Sequence, residues 1–284
     1  MLQSFSDYYR EGMKKLLKED LYHQIFDKLD DLIETNLRIR LLLKEEYDKK
    51  GHNAPIGQIF LDLSSDFNNL QYSVDNFLSI STSFQTEYYG NKSFRKRVKS
   101  LQRRSNNRFM KYIKLPLEGI VNYVQKLTEI SKVTPNWHPD YEPINSVLKI
   151  LTPVSIKAEQ NLKEEKRRIT LIKIQRKIKG APNLADDVNC TFVGKWKLMK
   201  DKMFIFVFSD LIIIVQEKTE LLSRRQYYAI QKQIEVKSIG EVKMEKSGIV
   251  LKIKSRKIEI KVQMKKKELY DAIMQQKLKV QTVE

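Results

Sequence analysis

Hydrophobic residues recur at every third or fourth position through the first part of the chain, which is the spacing of an amphipathic helix. One apolar stripe comprises Ile25, Phe26, Leu29, Leu32, Ile33, Leu37, Leu41 and Leu42. A loop marked by Gly51, Asn53 and Pro55 separates it from a second stripe that begins at Ile56. The pattern predicts a series of helices that continues to about Lys179.

The last of these predicted helices is long. Pro143 falls in its first turn, where the missing backbone N–H costs little. The apolar stripe that follows comprises Ile144, Val147, Leu148, Leu151, Val154 and Ala158. Pro153 lies inside the stripe and predicts a kink or a local end of the helix, because proline lacks a hydrogen-bond donor and crowds the preceding turn.

After Gly180 the period of the pattern falls from about 3.6 to about 2, which is typical of β-strands. Short runs rich in Val, Ile, Phe and Tyr follow, namely CTFVGKWKLM, KMFIFVFSD, LIIIVQEK, YYAIQKQIEV, GIVLKIK and RKIEIKVQM. The chain closes with a helical pattern, KKKELYDAIMQQKL. The predicted fold class is multi-domain α plus β: an all-α domain at residues 1–179, then a small β-barrel at residues 180–284 that is capped by a C-terminal helix.

The chain is strongly basic, with a net charge of +18 over 284 residues. Proteins of this charge tend to meet nucleic acid, an anionic membrane or an acidic protein surface. The charge is +10 up to Gly180 and +8 from Ala181 onward, so both parts share it. This division argues against a single nucleic-acid-binding arm, and a solvated lysine-rich surface accounts for many of these residues.

Several functional classes have little support in the sequence. The apolar runs at 211–215 and 203–208 are too short to span a bilayer, and the N-terminus lacks the apolar region of a signal peptide. A single cysteine, Cys190, fits a reducing compartment, so a cytoplasmic protein is expected. The histidines show no metal-ligand spacing, and no glycine-rich phosphate loop or GxSxG motif is present. No catalytic residue, metal or cofactor is therefore expected.

Residues 115–140, LPLEGIVNYVQKLTEISKVTPNWHPD, resemble the third homology block of Dbl-type guanine nucleotide exchange domains, roughly PvQRixRYxLLLxELLKxT followed by hPD. The positions in step are Pro116, Tyr123, Leu127, Glu129, Ile130, Lys132, Thr134 and His138-Pro139-Asp140. IGQIFL, from Ile56, resembles the family's iGdiFl. FIFVFSDLIIIV resembles the pleckstrin-homology pattern xxlFLFsDlLLia. The order of elements is thus similar to an elongated Dbl-homology (DH) bundle at 1–179 followed by a pleckstrin-homology (PH) domain at 180–284.

The resemblance implies a guanine nucleotide exchange factor for a Rho-family small GTPase. Such a regulator performs no covalent chemistry of its own. It binds the two switch regions and stabilises the nucleotide-free GTPase, so that GDP leaves and GTP enters. An alternative remains open, in which a catalytically weak DH-PH scaffold tethers a GTPase or an anionic membrane without exchange.

The resemblance also assigns candidate GTPase-binding residues. Those from the third block are Tyr123, Lys126, Glu129 and Lys132. Lys132 is expected near the second switch as a long cationic arm. The family's last-helix asparagine falls either on Glu159, by an ungapped count, or on Asn161. Two residues are more than half a helical turn, so these side chains point in different directions and both stay candidates.

The sequence departs from the family pattern at positions that bear on activity. Gly119 and Asn122 replace two arginines of the third block, and Leu70 and Ser73 replace two tyrosines of the second. The first-block glutamate that contacts the first switch has no clear counterpart, so it is absent or precedes Met1. These departures favour weak exchange, or GTPase binding without exchange, as a hypothesis.

In the second domain the resemblance implies a site for phosphoinositide headgroups at the open end of the barrel. The candidates are Lys195, Lys197, Lys200, Lys202, Arg224 and Arg225. They would hold phosphates by charge-assisted hydrogen bonds and recruit the protein to the plasma membrane. The turn at 199–203 is too short for the family's KxnxxxxRxR loop, so tight recognition is not expected. Alternatively, the lysines are solvated residues that protect strand edges.

Overall fold

The computed structural model describes residues 2–27, 29–105, 108–187, 190–220, 226–246, 248–254 and 256–281, without the side chains of 2–7 and 105. Backbone contacts divide the chain into two compact units, Met1–Lys166 and Arg167–Glu284. Among the described residues all strands belong to the second unit. The domain division at 179/180 stays a prediction. No helix of the described part is long and apolar enough to cross a membrane.

The first unit is built from helices. They are α1 (Leu2–Lys14), α2 (Glu19–Phe26), α3 (Leu29–Lys50), α4 (Ile56–Asp62), α5 (Phe67–Gly90), α6 (Lys92–Ser105), α7 (Phe109–Val133) and α8 (Tyr141–Gln175), which continues beyond the unit. Pro143 lies in the first turn of α8, as predicted. Pro153 lies inside α8, so the local end predicted there is wrong. The helix stops at Gln175, four residues short of the predicted limit at Lys179.

Two hydrophobic cores hold the helical unit together. The Leu127 core contains, among others, Leu32, Phe60, Leu70, Phe77, Ile120, Leu127, Val147 and Leu151. The Phe109 core contains, among others, Tyr9, Met13, Phe26, Phe84, Phe94, Val98, Phe109 and Tyr112. Helix α7 contributes its first turns to the Phe109 core and its second half to the Leu127 core. A helix of 25 residues is about 37 Å long, so α7 can join the two cores.

The prediction from helical periodicity is wrong for two residues of the first apolar stripe. Leu37 and Leu41 were expected in the buried face of α3, but both are exposed. The buried positions of α3 are Leu29, Leu32, Ile33, Thr35 and Ile39. Because neighbouring helices cover only part of the apolar stripe, α3 presents two leucines to solvent.

The second unit contains two sheets and a closing helix. The strands are β1 (Ile178–Lys179), β2 (Phe192–Lys197), β3 (Met203–Phe208), β4 (Leu211–Thr219), β5 (Gln226–Glu235), β6 (Glu241–Met244), β7 (Ile249–Ile253) and β8 (Arg256–Ile260), followed by α9 (Lys266–Gln281). Their orders are β1-β5-β4-β3-β2 and β6-β7-β8. A bridge between Leu198 and Val262 joins the two sheets.

The core of this unit lies between the sheets and α9. It includes Ile205, Val207, Ile212, Ile214, Leu251, Ile260, Leu269 and Ile273. Leu269 and Ile273 are one helical turn apart and fully buried, so α9 covers the core with its apolar face. The predicted fold class is confirmed: a helical bundle is followed by strand-rich sheets and a C-terminal helix.

Candidate functional site

The second half of α7 buries one face and exposes the other. Ile120 and Leu127 lie in the Leu127 core, at a spacing of seven residues. The opposite face exposes Asn122, Gln125, Lys126, Glu129 and Lys132. Three of the four candidates from the third block therefore lie on one solvent-facing surface, which we call the α7 face. The segment at 123–134 is not buried inside the helical unit.

Two of these residues form an ion pair within the α7 face. Lys126 Nζ lies 2.8 Å from Glu129 Oε2, and Gln125 donates a hydrogen bond of 3.3 Å to Glu129 Oε1. The hydrogen bond from Lys126 lowers the pKa of Glu129, so its carboxylate stays ionised at neutral pH. Exposed pairs of this kind contribute little to stability because water screens them. Both side chains are thus free to exchange this pair for contacts with a partner.

Lys132 differs from Lys126 because it forms no ion pair with any described carboxylate. It lies in the last turn of α7, where the carbonyl end of the helix favours a positive charge. Its ammonium group is therefore held on a rigid element and remains available. Among the candidates, it is the cation best placed to meet an acidic group on another protein.

Tyr123, the remaining third-block candidate, is half-buried. Its hydroxyl donates a hydrogen bond of 2.8 Å to Asn36 Oδ1 on α3, and its ring packs edge-on against Phe60 of α4. Asn36 in turn donates to the Leu32 carbonyl at 2.7 Å. Burial raises the pKa of Tyr123. The side chain fixes α7 against α3 and α4, so it acts as a positioning residue.

The two last-helix candidates occupy different environments. Glu159 is exposed on α8. Asn161 is 8% exposed, and its amide donates a hydrogen bond of 2.6 Å to the Val74 carbonyl on α5. In this conformation Asn161 joins two helices inside the unit and does not reach the surface. The geometry therefore favours Glu159 as the α8 residue available to a partner.

The loop after α7 is held rigidly at its far end. The carboxylate of Asp140 is buried and accepts hydrogen bonds from the backbone N–H groups of Gly57, at 2.8 Å, and Gln58, at 3.0 Å. These donors begin α4, so Asp140 satisfies backbone groups that lack partners within the helix. A Cβ added at Gly57 would lie 2.5 Å from Ile144, so the close approach requires glycine. The HPD motif thus anchors the loop to α4.

Two large apolar side chains next to Lys132 were missed by the sequence reasoning. Val133 is 79% exposed and Trp137 is 78% exposed. Exposed aromatic residues beside a cation are typical of protein interfaces, where they supply most of the buried apolar area. The presence of a tryptophan in the loop was the available signal. Val133 is the last residue of α7, and Trp137 lies in the loop that follows, so apolar exposure continues from the helix end into the loop.

In the second unit, Lys195 is not a free cation. Its Nζ lies 3.9 Å from the ring centre of Phe204, 4.5 Å from that of Tyr228 and 5.4 Å from that of Phe206. It also donates a hydrogen bond of 2.6 Å to the Tyr228 hydroxyl. Cation–π contacts and this hydrogen bond hold the side chain on the sheet. Lys195 is nevertheless exposed, so its role in lipid binding stays a prediction.

The other lysine candidates lie around a turn with exposed methionines. Lys197, Lys200 and Lys202 are exposed, and Lys202 adopts a left-handed φ of 54°. Met199 is 66% exposed, and its N–H donates a hydrogen bond of 2.8 Å to the Lys261 carbonyl. This bond places the 199–203 turn beside the segment that carries Met264, which is 73% exposed. The predicted lipid-binding residues Arg224 and Arg225 lie outside the described residues.

Comparison with known proteins adds to this geometry. Residues 1–158, more than half of the chain, match the model of the RhoGEF domain family. The chain is 23% identical over 237 residues to Rac guanine nucleotide exchange factor JJ of Dictyostelium discoideum, covering 80% of this chain and 20% of that protein. It spans about a fifth or less of the length of the curated relatives that it matches.

Solved structures show the same fold. An N-terminally truncated linker-DH/PH fragment of p115-RhoGEF superposes with a TM-score of 0.61 and 15% identity, covering 98% of this chain and 91% of that one. The DH/PH domain of human ARHGEF11, in a complex with human RhoA and an inhibitor, gives a TM-score of 0.54 and 14% identity, covering 98% of this chain and 89% of that one. The tandem of a helical bundle and a PH-like unit therefore extends over nearly the whole chain.

Proposed function

This chain belongs to the RhoGEF domain family, and on that premise we propose that its α7 face accelerates GDP release from a Rho-family small GTPase. The observation that carries the proposal is the exposure of Lys126, Glu129 and Lys132 on one rigid helical face. Lys132 meets an acidic group on the GTPase. The ion pair of Lys126 and Glu129 opens to contact both signs of charge on the partner.

The end of α7 and the loop beyond it supply apolar contact. Val133 and Trp137 lose their solvent exposure when the GTPase binds, and aromatic residues of this kind are frequent hot spots. Asp140 holds the end of the loop on α4, so the loop loses little conformational freedom when the GTPase binds. Tyr123 and Asn36 keep α7 in place while the partner presses against it.

Exchange follows from differential binding. The factor binds the nucleotide-free GTPase more tightly than the GDP-bound form, so it lowers the free energy of the state from which GDP has left. A shift from one part in a hundred to near completion requires a preference of about 10⁴-fold. The side chains of the α7 face hold the opened switch regions, and no covalent bond is made or broken.

Two similarities support a Rho-family partner. One relative is named a Rac guanine nucleotide exchange factor, and the DH/PH domain of human ARHGEF11 forms a complex with human RhoA. These two names specify different GTPases. The partner of this chain is therefore proposed at the level of the Rho family.

A second candidate function is membrane docking by the second unit. Met199 and Met264 are both exposed, and the turn of Met199 also carries the exposed lysines Lys200 and Lys202. Methionines that enter the headgroup region, with lysines around them, would attract the unit to phosphoinositide-rich membrane. This docking recruits the chain to the plasma membrane. The same docking is what a scaffold that tethers to the membrane without exchange would need.

One experiment separates exchange from tethering. The chain is mixed with GDP-loaded or nucleotide-free Rho-family GTPases, and complex formation is followed by size-exclusion chromatography beside the release of fluorescent GDP. The exchange proposal expects a stable complex with the nucleotide-free form and faster GDP release. Complex formation with release at the background rate would support the tethering scaffold instead. If no member of the panel binds, the GTPase-directed function is wrong.

A further inference from the structure

The positive charge of the helical unit is concentrated in one segment. Residues 88–117 contain ten Lys and Arg residues and no Asp or Glu. The other residues of Met1–Lys166 contain 16 Lys and Arg residues and 22 Asp and Glu residues, so they are net acidic. Dividing the chain at Gly180 gives similar net charges for the two parts, so that division does not reveal the contrast between the basic segment and the acidic remainder. Helix α6, with the sequence KSFRKRVKSLQRRS, lies at the centre of the segment.

Helix α6 separates its apolar and basic residues onto opposite faces. Phe94, Val98 and Leu101 pack in the Phe109 core. Four cations at successive spacings of four, three and four residues form the opposite side, namely Lys92, Lys96, Lys99 and Arg103. All four are exposed, and we call them the α6 ridge. A ridge of 12 residues is about 16 Å long, so the charges form one continuous line.

The α6 ridge has no counter-charge within the described part of the unit. None of its four side chains forms an ion pair with a described carboxylate. Cations elsewhere in the unit do find partners, as in the pairs of Arg10 with Asp30 and Arg38 with Asp66, each at 2.7 Å. An unpaired row of like charges repels itself and raises the free energy of the fold. An anionic partner would remove this repulsion.

We propose that the α6 ridge docks the helical unit onto an anionic membrane surface. The ridge is a row of exposed cations along one helical face, which fits mobile lipid headgroups that can rearrange beneath it. Binding of single-stranded nucleic acid relies on bases that stack on exposed aromatic rings, and the only aromatic residue of α6, Phe94, is buried. Since the ridge carries no apolar side chain, the attraction is electrostatic and sensitive to salt.

Docking through α6 leaves the α7 face accessible. The ridge covers the Phe109 core, whereas the α7 face lies over the Leu127 core. Phe109 and Lys132 both lie in α7 and are 23 positions apart, which corresponds to about 35 Å along the helix axis. Neutralising the α6 ridge should therefore leave the α7 face, and the exchange activity proposed for it, unchanged.

The test is co-sedimentation of the full chain with phosphatidylcholine vesicles that contain phosphatidylserine, and with phosphatidylcholine vesicles alone. The ridge variant carries Lys92→Gln, Lys96→Gln, Lys99→Gln and Arg103→Gln. A matched control carries Arg40→Gln, Lys44→Gln, Lys149→Gln and Lys163→Gln, which removes four exposed charges of the same unit. Glutamine preserves helix propensity, and circular dichroism confirms that each variant is folded.

We expect the wild type to bind only the anionic vesicles. Each cation near an anionic leaflet is worth about fivefold in partitioning, so loss of all four should weaken binding by about 600-fold. The control should retain most of the binding, and replacing Lys92, Lys96 and Lys99 by arginine should preserve it.

Equal binding by the ridge and control variants overturns the proposal. So does loss of vesicle binding only when Lys197, Lys200 and Lys202 are neutralised, or ridge-dependent binding of a single-stranded oligonucleotide without binding of vesicles. Release of GDP in solution, without lipid, should be the same for wild type and ridge variant. Failure of exchange in both would leave the membrane result intact.

Discussion

The hydroxyl of Tyr123 lies 2.8 Å from Oδ1 of Asn36, and this hydrogen bond joins α7 to α3. The bond is half-buried, and the amide of Asn36 is itself held by the Leu32 carbonyl. This pair of side chains therefore connects the helix that carries the candidate interface to a neighbouring helix. The orientation of the α7 face depends on this pair.

Tyr123→Phe should weaken both stability and exchange. It removes the hydrogen bond but keeps the ring on Phe60, so the free energy of unfolding should fall by about 1 kcal/mol. Urea denaturation measures the loss, and exchange assays at several GTPase concentrations should show a lower maximal rate with little change in apparent affinity. Tyr72→Phe is the control, since the Tyr72 hydroxyl makes no hydrogen bond with any described residue. Equal effects of both substitutions would contradict a positioning role.

Trp137→Ala should reduce GTPase binding without reducing stability. The side chain is 78% exposed, so its removal creates no cavity in the core. A hot-spot aromatic residue contributes about 2 kcal/mol or more to an interface, so affinity for the nucleotide-free GTPase should fall at least about tenfold. Calorimetric titration measures the affinity, and thermal melting measures the stability. Unchanged affinity would exclude the loop from the interface.

Gly119→Ala should stabilise the helical unit. Gly119 lies inside α7, and a Cβ added there meets no atom within 4 Å. Alanine in a helix interior is favoured over glycine by about 0.5–1 kcal/mol, because glycine loses more backbone freedom on folding. Chemical denaturation should show an increase of this size. A decrease would mean that the backbone at Gly119 requires a conformation that alanine resists.

Cys190 should be nearly inert toward alkylation in the folded protein. Burial, together with the nearby carboxylate of Asp210, raises the pKa of its thiol from 9.0 to about 12. Only the thiolate reacts, so labelling by iodoacetamide at pH 8 should be about a thousandfold slower than for an exposed cysteine. Because the unfolded thiol loses its proton at a lower pH than the folded one, this group also destabilises the fold as pH rises from about 9 to 12. Rapid labelling of the native protein would contradict the buried position.

The order of helices and strands could be predicted because hydrophobic periodicity reports it directly. The grouping of Lys126, Glu129 and Lys132 was implied by the resemblance to the exchange domain. Their spacing alone did not predict their exposure, because Tyr123 has the same spacing and is half-buried. The burial of Asn161 did not follow. Glu159 and Asn161 differ by two positions, and only the packing of α8 on α5 decides which of them reaches solvent.

Other features depend on contacts between residues that are distant in sequence. Lys195 on β2 contacts Phe206 on β3 and Tyr228 on β5. Its aromatic surroundings therefore depend on the register of the strands, which the sequence alone does not give. Leu37 and Leu41 fit the helical stripe of α3, but no neighbouring helix covers them. The basic segment at 88–117 was visible in the sequence, yet a division of charge at Gly180 averaged it with the acidic remainder of the first unit.

The most direct test of the α7 face is the rate of fluorescent GDP release from Rho-family GTPases with Lys132→Glu. Lys15→Glu, at an exposed position directly after α1, makes the same charge change and serves as the control. We predict that Lys132→Glu loses nearly all acceleration of GDP release and that Lys15→Glu keeps it. Both variants should bind vesicles equally. Full acceleration by Lys132→Glu would show that the α7 face does not act on the GTPase.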